Sequence, residues 1–340
     1  MFYYIIYLFF INFLFSININ QHTFSNTSDN SGFNDINSNA IYEMIDIQDT
    51  IWLRTGSGLS FIYYNNSIDP LFGSINHNNL PDGGAPAFFI NNSIMILSGS
   101  QAIYENGRYR PMGTGVSWSL NHGNNWNYID QSLDSKDSGT YVYSKWGTQD
   151  SVRFKAITTP IYNISYDLEV FDSLIYATSF AGGLRRFNYY KDNFQWERIP
   201  LPMDNQDSLI CNEIDINNYE YDPVDPPDGN DNHKAFSIFI DDSTLWVGTG
   251  DGINKGIIRD NNCIDWFHYN ENDGMGDRWV IGIKKQIINN RLWAISWDPS
   301  LNKAIPHNLS YTDDEGQNWH IVSFFNEDNI GAIVYDLYFD

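Results

Sequence analysis

Acidic side chains are the largest class of ionisable groups in this sequence, 42 Asp and Glu against 22 Tyr and 19 Lys and Arg. Tyr221-Asp222-Pro223-Val224-Asp225-Pro226-Pro227-Asp228-Gly229-Asn230-Asp231 places an aspartate at every third position. Ca2+ takes oxygen ligands, often from loops, so Asp222, Asp225, Asp228 and Asp231 form a candidate calcium set. The stretch is not an EF-hand, because Pro226-Pro227 breaks the alternation such a loop needs. Its plain reading is a solvated surface loop, and no other cofactor is expected. Two facing carboxylates could instead hydrolyse a glycosidic bond. With 42 acidic residues, however, candidate pairs occur everywhere and no motif singles one out. Gly248-Thr249-Gly250-Asp251-Gly252 has the glycine density of a phosphate loop and follows a strand pattern. No helical pattern follows at Ile253-Asn254-Lys255-Gly256, so the stretch reads as a tight turn. The sequence contains no Gly-x-Ser-x-Gly, Cys-x-x-Cys or His-x-x-x-His, so neither a hydrolase elbow nor a zinc site is expected.

The charge balance narrows the range of partners. Nineteen Lys and Arg stand against 42 Asp and Glu, a net charge of −23 over 340 residues. Nucleic-acid binding needs a basic footprint, so no nucleic acid is expected, and anionic membrane surfaces are disfavoured likewise. The acidity reads as a solubility device. Two cysteines, Cys211 and Cys263, are too few for a disulfide framework, and whether they pair stays open.

Met1 to Phe15 is almost continuously apolar. The length suits a secretory signal core and is short for a membrane span, although no Lys or Arg precedes it. Residues 1–20 are read as a signal peptide, with an uncleaved anchor as the alternative. Residues 21–39, rich in Asn and Ser, are read as a flexible linker. No membrane span is expected once the signal is removed.

Such side chains need a scaffold, and the rest of the chain is repetitive. An apolar stretch, a short polar turn and a second apolar stretch recur at Ile47 to Trp52, Ile90 to Met95, Phe171 to Tyr176, Ile240 to Trp246 and Ile288 to Trp293. Each reads as a β-hairpin. Small-residue turns follow, at Thr55-Gly56-Ser57-Gly58, Ser98-Gly99-Ser100, Ser179 to Gly183 and Gly248 to Gly252. A later strand led by Trp closes the unit, at Trp126, Trp196, Trp266 and Trp319. Units of about 40 to 50 residues with four strands are propeller blades. The fold class is therefore an all-β propeller over 40–340, with insertions at 131–159 and 203–233. The first insertion has a degenerate extra blade as its alternative. About five blades are expected, plus the first strand of a sixth at Tyr335-Asp336-Leu337, which matches Tyr166-Asp167-Leu168. This suggests a truncated ring of about six to eight blades when complete, or else a last strand that closes the ring.

Two turns carry a family resemblance. Thr312, Asp314, Gly316 and Trp319 match Ser/Thr-x-Asp-x-Gly-x-x-Trp in full. Ser119, Gly123 and Trp126 match with Asn121 in place of Asp. The pattern resembles the Asp-box, or BNR repeat, found in propellers of sialidases, sortilin-like receptors, xyloglucanase-like hydrolases and photosystem II assembly-factor-like proteins. The resemblance covers roughly 40–340 and implies that these eight residues are structural. It is specific for fold and weak for function, since the same propeller carries many activities. Sialidase chemistry would imply an Arg triad and an N-terminal Arg-Ile-Pro. Arg198-Ile199-Pro200 is present, but it follows Trp196 on an outer strand. The resulting expectation is a non-enzymatic, secreted or cell-surface scaffold, of bacterial type, that binds an extracellular protein or glycan. The alternative is a sialidase- or xyloglucanase-like glycoside hydrolase.

Overall fold

The computed structural model describes residues 36–64, 70–223, 229–298, 308–322 and 334–339. The chain divides into a unit Met1–Asn34 and a unit Asp35–Asp340. The expected signal peptide and most of the linker lie outside the described residues. Among the described residues the only helical turns are 3-10, and no helix is long and apolar enough to cross a membrane.

Strand-forming runs broken by Asn, Asp and Gly turns produce five antiparallel sheets in succession. Blade 1 holds β1 (Ile41–Ile47), β2 (Thr50–Thr55), β3 (Gly58–Tyr63) and β4 (Leu71–Ser74). Blade 2 holds β5 (Phe88–Ile90), β6 (Met95–Glu105), β7 (Arg108–Ser119) and β8 (Asn127–Ile129). A two-stranded sheet, β9 (Tyr141–Trp146) and β10 (Gln149–Lys155), interrupts the series. Blade 3 holds β11 (Ser165–Phe171), β12 (Leu174–Ser179), β13 (Gly183–Asn188) and β14 (Glu197–Arg198). Blade 4 is formed by β15 (Ser208–Leu209), β16 (Ala235–Asp241), β17 (Thr244–Thr249), β18 (Gly252–Ile258) and β19 (Ile264–Tyr269). Its order is β15-β19-β18-β17-β16, so β15 adds a fifth strand at the outer edge. Blade 5 holds β20 (Trp279–Gln286), β21 (Arg291–Trp297), β22 (Leu309–Thr312) and β23 (His320–Val322). The fold is an all-β propeller.

The core lies between blades. Side chains alternate along a strand, so each second strand feeds two interfaces. On β6, Met95 and Leu97 face blade 1 and Ile96 faces blade 3. On β17, Leu245 and Val247 join the blade 3 interface, while Trp246 faces blade 5. Large aromatics fill the seams, with Trp118 and Phe187 at 5.0 Å and Trp246 and Trp319 at 6.4 Å between ring centroids.

First strands lie innermost and leave backbone groups without a ladder partner on one side. Side chains of the neighbouring blade take these up. Asp167 Oδ2 accepts the N–H of Ile238 at 2.9 Å. Glu169, on the same face of β11, accepts the N–H of Val170 on its own strand at 3.3 Å. The hydroxyls of Ser98 and Ser237 donate to Ser165 O at 2.8 Å and Val280 O at 3.1 Å. Burial pushes the Glu169 carboxyl up to about 8 and that of Asp167 up to about 6.

The two box turns share one wiring. Gly316 N–H donates to Thr312 Oγ1 at 2.9 Å, and Asn318 N–H donates to Asp314 Oδ1 at 2.8 Å. In blade 2, Gly123 N–H donates to Ser119 Oγ and Asn125 N–H to Asn121 Oδ1, both at 2.9 Å. Both turns place two consecutive residues at positive φ, His122-Gly123 and Glu315-Gly316, which is why glycine stands second. Trp126 and Trp319 are buried in the seams with blades 1 and 4.

The structure departs from expectation at Ser98-Gly99-Ser100, read as a turn. These residues lie inside β6, and the hairpin runs on to Asn106-Gly107, at φ 52° and 82°. Asn-Gly is the stronger hairpin signal, because both residues accept the positive φ of a two-residue turn. Residues 334–339 pack on blade 5, with Tyr335 against Trp297 at 5.2 Å and Asp336 paired with Lys284 at 3.1 Å.

Two predictions follow from these contacts. Thr312→Ala strands the buried Gly316 N–H and should cost about 1–3 kcal/mol in chemical denaturation, whereas Thr312→Ser should be nearly neutral. Glu169 ionises near 4.5 when unfolded and at about 8 when folded, so its contribution is full below 4.5 and is lost as pH rises towards 8. The thermal midpoint of the wild type should therefore fall more steeply over that window than that of Glu169→Gln.

Candidate functional site

One extra residue stands in the first strand of four blades. The β1–β2 register shifts between Ile41 and Glu43, β11–β12 between Ser165 and Asp167, β16–β17 between Ala235 and Ser237, and β20–β21 between Val280 and Gly282. A bulge re-aims its side chain out of the alternating pattern. The bulged residues are Tyr42, Tyr166, Phe236 and Ile281.

Around blades 3 to 5 the bulged Tyr166 and Phe236 join Tyr162, Phe180 and Trp279 in a continuous aromatic surface, a rim at the end of the blades where the first strands begin. Phe236 lies 6.3 Å from Tyr166, 6.0 Å from Phe180 and 5.2 Å from Trp279. Phe180, from the turn between β12 and β13, lies 6.1 Å from Trp279 and 6.4 Å from Tyr162. All five rings are partly exposed. Lys234 Nζ sits 5.4 Å from the Phe180 ring centre. Beside this rim Arg278 bridges Asp231 at 2.8 Å and Asp251 at 3.2 Å. Among the described residues, the hydroxyls of Tyr162 and Tyr166 and the indole N–H of Trp279 make no hydrogen bond within the protein.

The residues singled out in the sequence lie elsewhere. The eight box residues sit at the outer turns of blades 2 and 5. Of the calcium candidates, Asp225 and Asp228 lie outside the described residues. Asp222 pairs with Lys155 at 3.4 Å, and Asp231 pairs with Lys234 and Arg278. Among the described residues no group of three His, Cys, Asp or Glu is placed to hold a metal. Arg198 pairs with Asp134, tying β14 to the first insertion, and Ile199 is fully buried. Gly248 to Gly252 forms the turn between β17 and β18, where Thr249 Oγ1 donates to Gly252 O at 3.1 Å. Cys211 and Cys263 form a disulfide that fastens the second insertion to blade 4. Asp167 and Glu169, whose raised ionisation would suit a general acid, stand two residues apart on one strand and hold backbone N–H groups. They do not face each other across a cleft, as glycoside hydrolysis requires.

The rim residues Tyr162, Phe236 and Trp279 stand outside every motif singled out in the sequence, and Tyr166 and Phe180 fall in stretches read for strand and turn alone. A signal was available: Tyr42, Tyr166 and Phe236 each stand ten residues before Trp52, Tyr176 and Trp246.

No protein family's model matches the chain, and no curated protein matches it. Solved structures do. The chain is similar to an ancestral GH74 enzyme at 10% identity and TM-score 0.45, covering 83% of this chain and 34% of that one. It is similar to the β-propeller domain of Cps50 (Swd1) from Myceliophteria thermophila at 9% identity and TM-score 0.47, covering 87% and 76%. It is also similar to PorZ, a bacterial surface component of the type-IX secretion system of Porphyromonas gingivalis, at 11% identity and TM-score 0.40, covering 83% and 33%. The chain thus spans about a third of the length of the GH74 enzyme and of PorZ.

Proposed function

We propose that this chain is a non-enzymatic binding propeller of the Asp-box type, working outside the cytoplasm, and that its aromatic rim holds a protein partner. The observation that carries this reading is the state of Tyr162, Tyr166 and Trp279. Their rings are partly buried in a rigid aromatic floor, while their polar tips remain unspent. Tyr, Trp and Arg are the side chains enriched where binding energy concentrates, and Trp279, Tyr166 and Arg278 lie together here. The apolar stretch at Met1 to Phe15 and the Cys211–Cys263 disulfide support an oxidising, extracytoplasmic setting.

The test compares immobilised wild-type protein with Tyr166→Ala/Trp279→Ala in capturing proteins from the surface fraction of the source cells. Loss of a bound species in the double variant, at unchanged thermal midpoint, is the expected outcome. Identical capture by both proteins would remove the rim as the binding surface, and turnover of a sialoside or β-glucan by purified protein would replace the reading with a hydrolase.

A further inference from the structure

A second candidate site lies where the two insertions meet, joined to the flank of the rim through Asp204, which accepts the Asp231 N–H at 3.0 Å. The β9–β10 hairpin joins the second insertion through Lys155 N–H, which donates to Tyr221 O at 2.7 Å, and Tyr221 N–H, which donates to Arg153 O at 3.1 Å. The joint is rigid. His233 stacks on Tyr221 at 4.3 Å, accepts Asp222 N–H at Nδ1 and faces Leu201 O at 3.1 Å through Nε2. Burial holds this imidazole neutral, down to about 3. Between the insertions opens a cleft of about 600 Å3, lined among others by Tyr141, Arg153, Lys155, Asn205, Asn218 and Glu220. That volume falls in the roughly 300–1,000 Å3 range of small-molecule sites.

The charges in the cleft are answered inside the protein. Arg153 pairs with Glu220 at 2.7 Å and Lys155 with Asp222 at 3.4 Å. Asp204 accepts the N–H groups of Asp231 and Asn232 at 3.0 and 2.7 Å. A ligand here therefore needs no net charge, and the field of a chain at −23 disfavours a polyanion. What the cleft offers is a dense mixture of donors and acceptors on planar groups, beside one aromatic ring. The Arg153 guanidinium lies 4.9 Å from the Tyr141 ring centre, which holds both groups in place. The exposed amide of Asn205 presents a donor and an acceptor end, and that of Asn218, whose Nδ2 donates to Asp215 Oδ2 at 2.6 Å, presents its carbonyl oxygen. Closely spaced hydroxyls that both give and take hydrogen bonds are the chemistry that matches.

From this we infer that the cleft between the insertions is a binding site for a short neutral oligosaccharide, lined by residues other than those of the aromatic rim. The test is isothermal titration calorimetry of the full chain with cellotetraose, maltotetraose, chitotetraose and mannotetraose, with sialyllactose as the anionic comparison. At least one neutral probe should bind. Its affinity should fall at least about tenfold in Tyr141→Ala and in the surface variant Asn205→Ala/Asn218→Ala, which leaves the packed joint untouched. Trp279→Ala reports separately on the rim. Binding that survives both cleft variants, or that is lost only in Trp279→Ala, would overturn the assignment. So would preference for sialyllactose, or failure of every neutral probe to bind at millimolar concentration.

Discussion

The innermost strand of each blade has one unpaired side, and the propeller depends on satisfying it. A strand edge exposes N–H and C=O groups that are costly to bury without partners. Here the neighbouring blade supplies them: Asp167 caps Ile238, Ser98 reaches Ser165 O, and Ser237 reaches Val280 O. These bonds tie blade 2 to blade 3, blade 3 to blade 4 and blade 4 to blade 5, beside the apolar seams around Trp118, Trp246 and Trp319. Polar side chains at the axis and aromatics further out share one task. Asp167, one of the two carboxylates that most resemble catalytic acids, is occupied by it.

The same edge explains the rim. A first strand that must both pair with its own blade and meet the next gains from a local change of twist, which a bulge provides. The bulge lies near the start of the strand. Where that residue is Tyr166 or Phe236, it joins the aromatic floor; Ile281 brings no ring to it. The aromatic surface thus follows from residue choice at one repeat position.

Much of this was legible in the sequence. The hairpin turns at Asp172-Ser173 and Asp241-Asp242-Ser243 and the paired boxes at Ser119 and Thr312 are local signals, written in turn chemistry and a fixed period. The bulges were harder to read, because one inserted residue alters no composition and leaves alternation intact on either side. The meeting of the two insertions could not be read at all. It depends on the parallel pairing of Phe154 with Tyr221 and on a disulfide spanning Cys211 and Cys263, both non-local. The long hairpin of blade 2 was legible at Asn106-Gly107, but Gly99 offered a nearer and misleading stop.

That hairpin stands beside the rim. Beyond Gly99, β6 and β7 leave the body of blade 2 as a two-stranded arm of about 20 Å, at roughly 3.3 Å per residue. Its root is tied to the segment carrying Tyr162, through Tyr162 N–H to Pro111 O at 2.9 Å and Gly113 N–H to Pro160 O at 3.0 Å. Its tip carries Tyr104 and Tyr109, ring against ring at 5.1 Å and both exposed. The arm thus holds an exposed aromatic pair clear of blade 2, while its root is fastened to the segment that carries the rim's Tyr162.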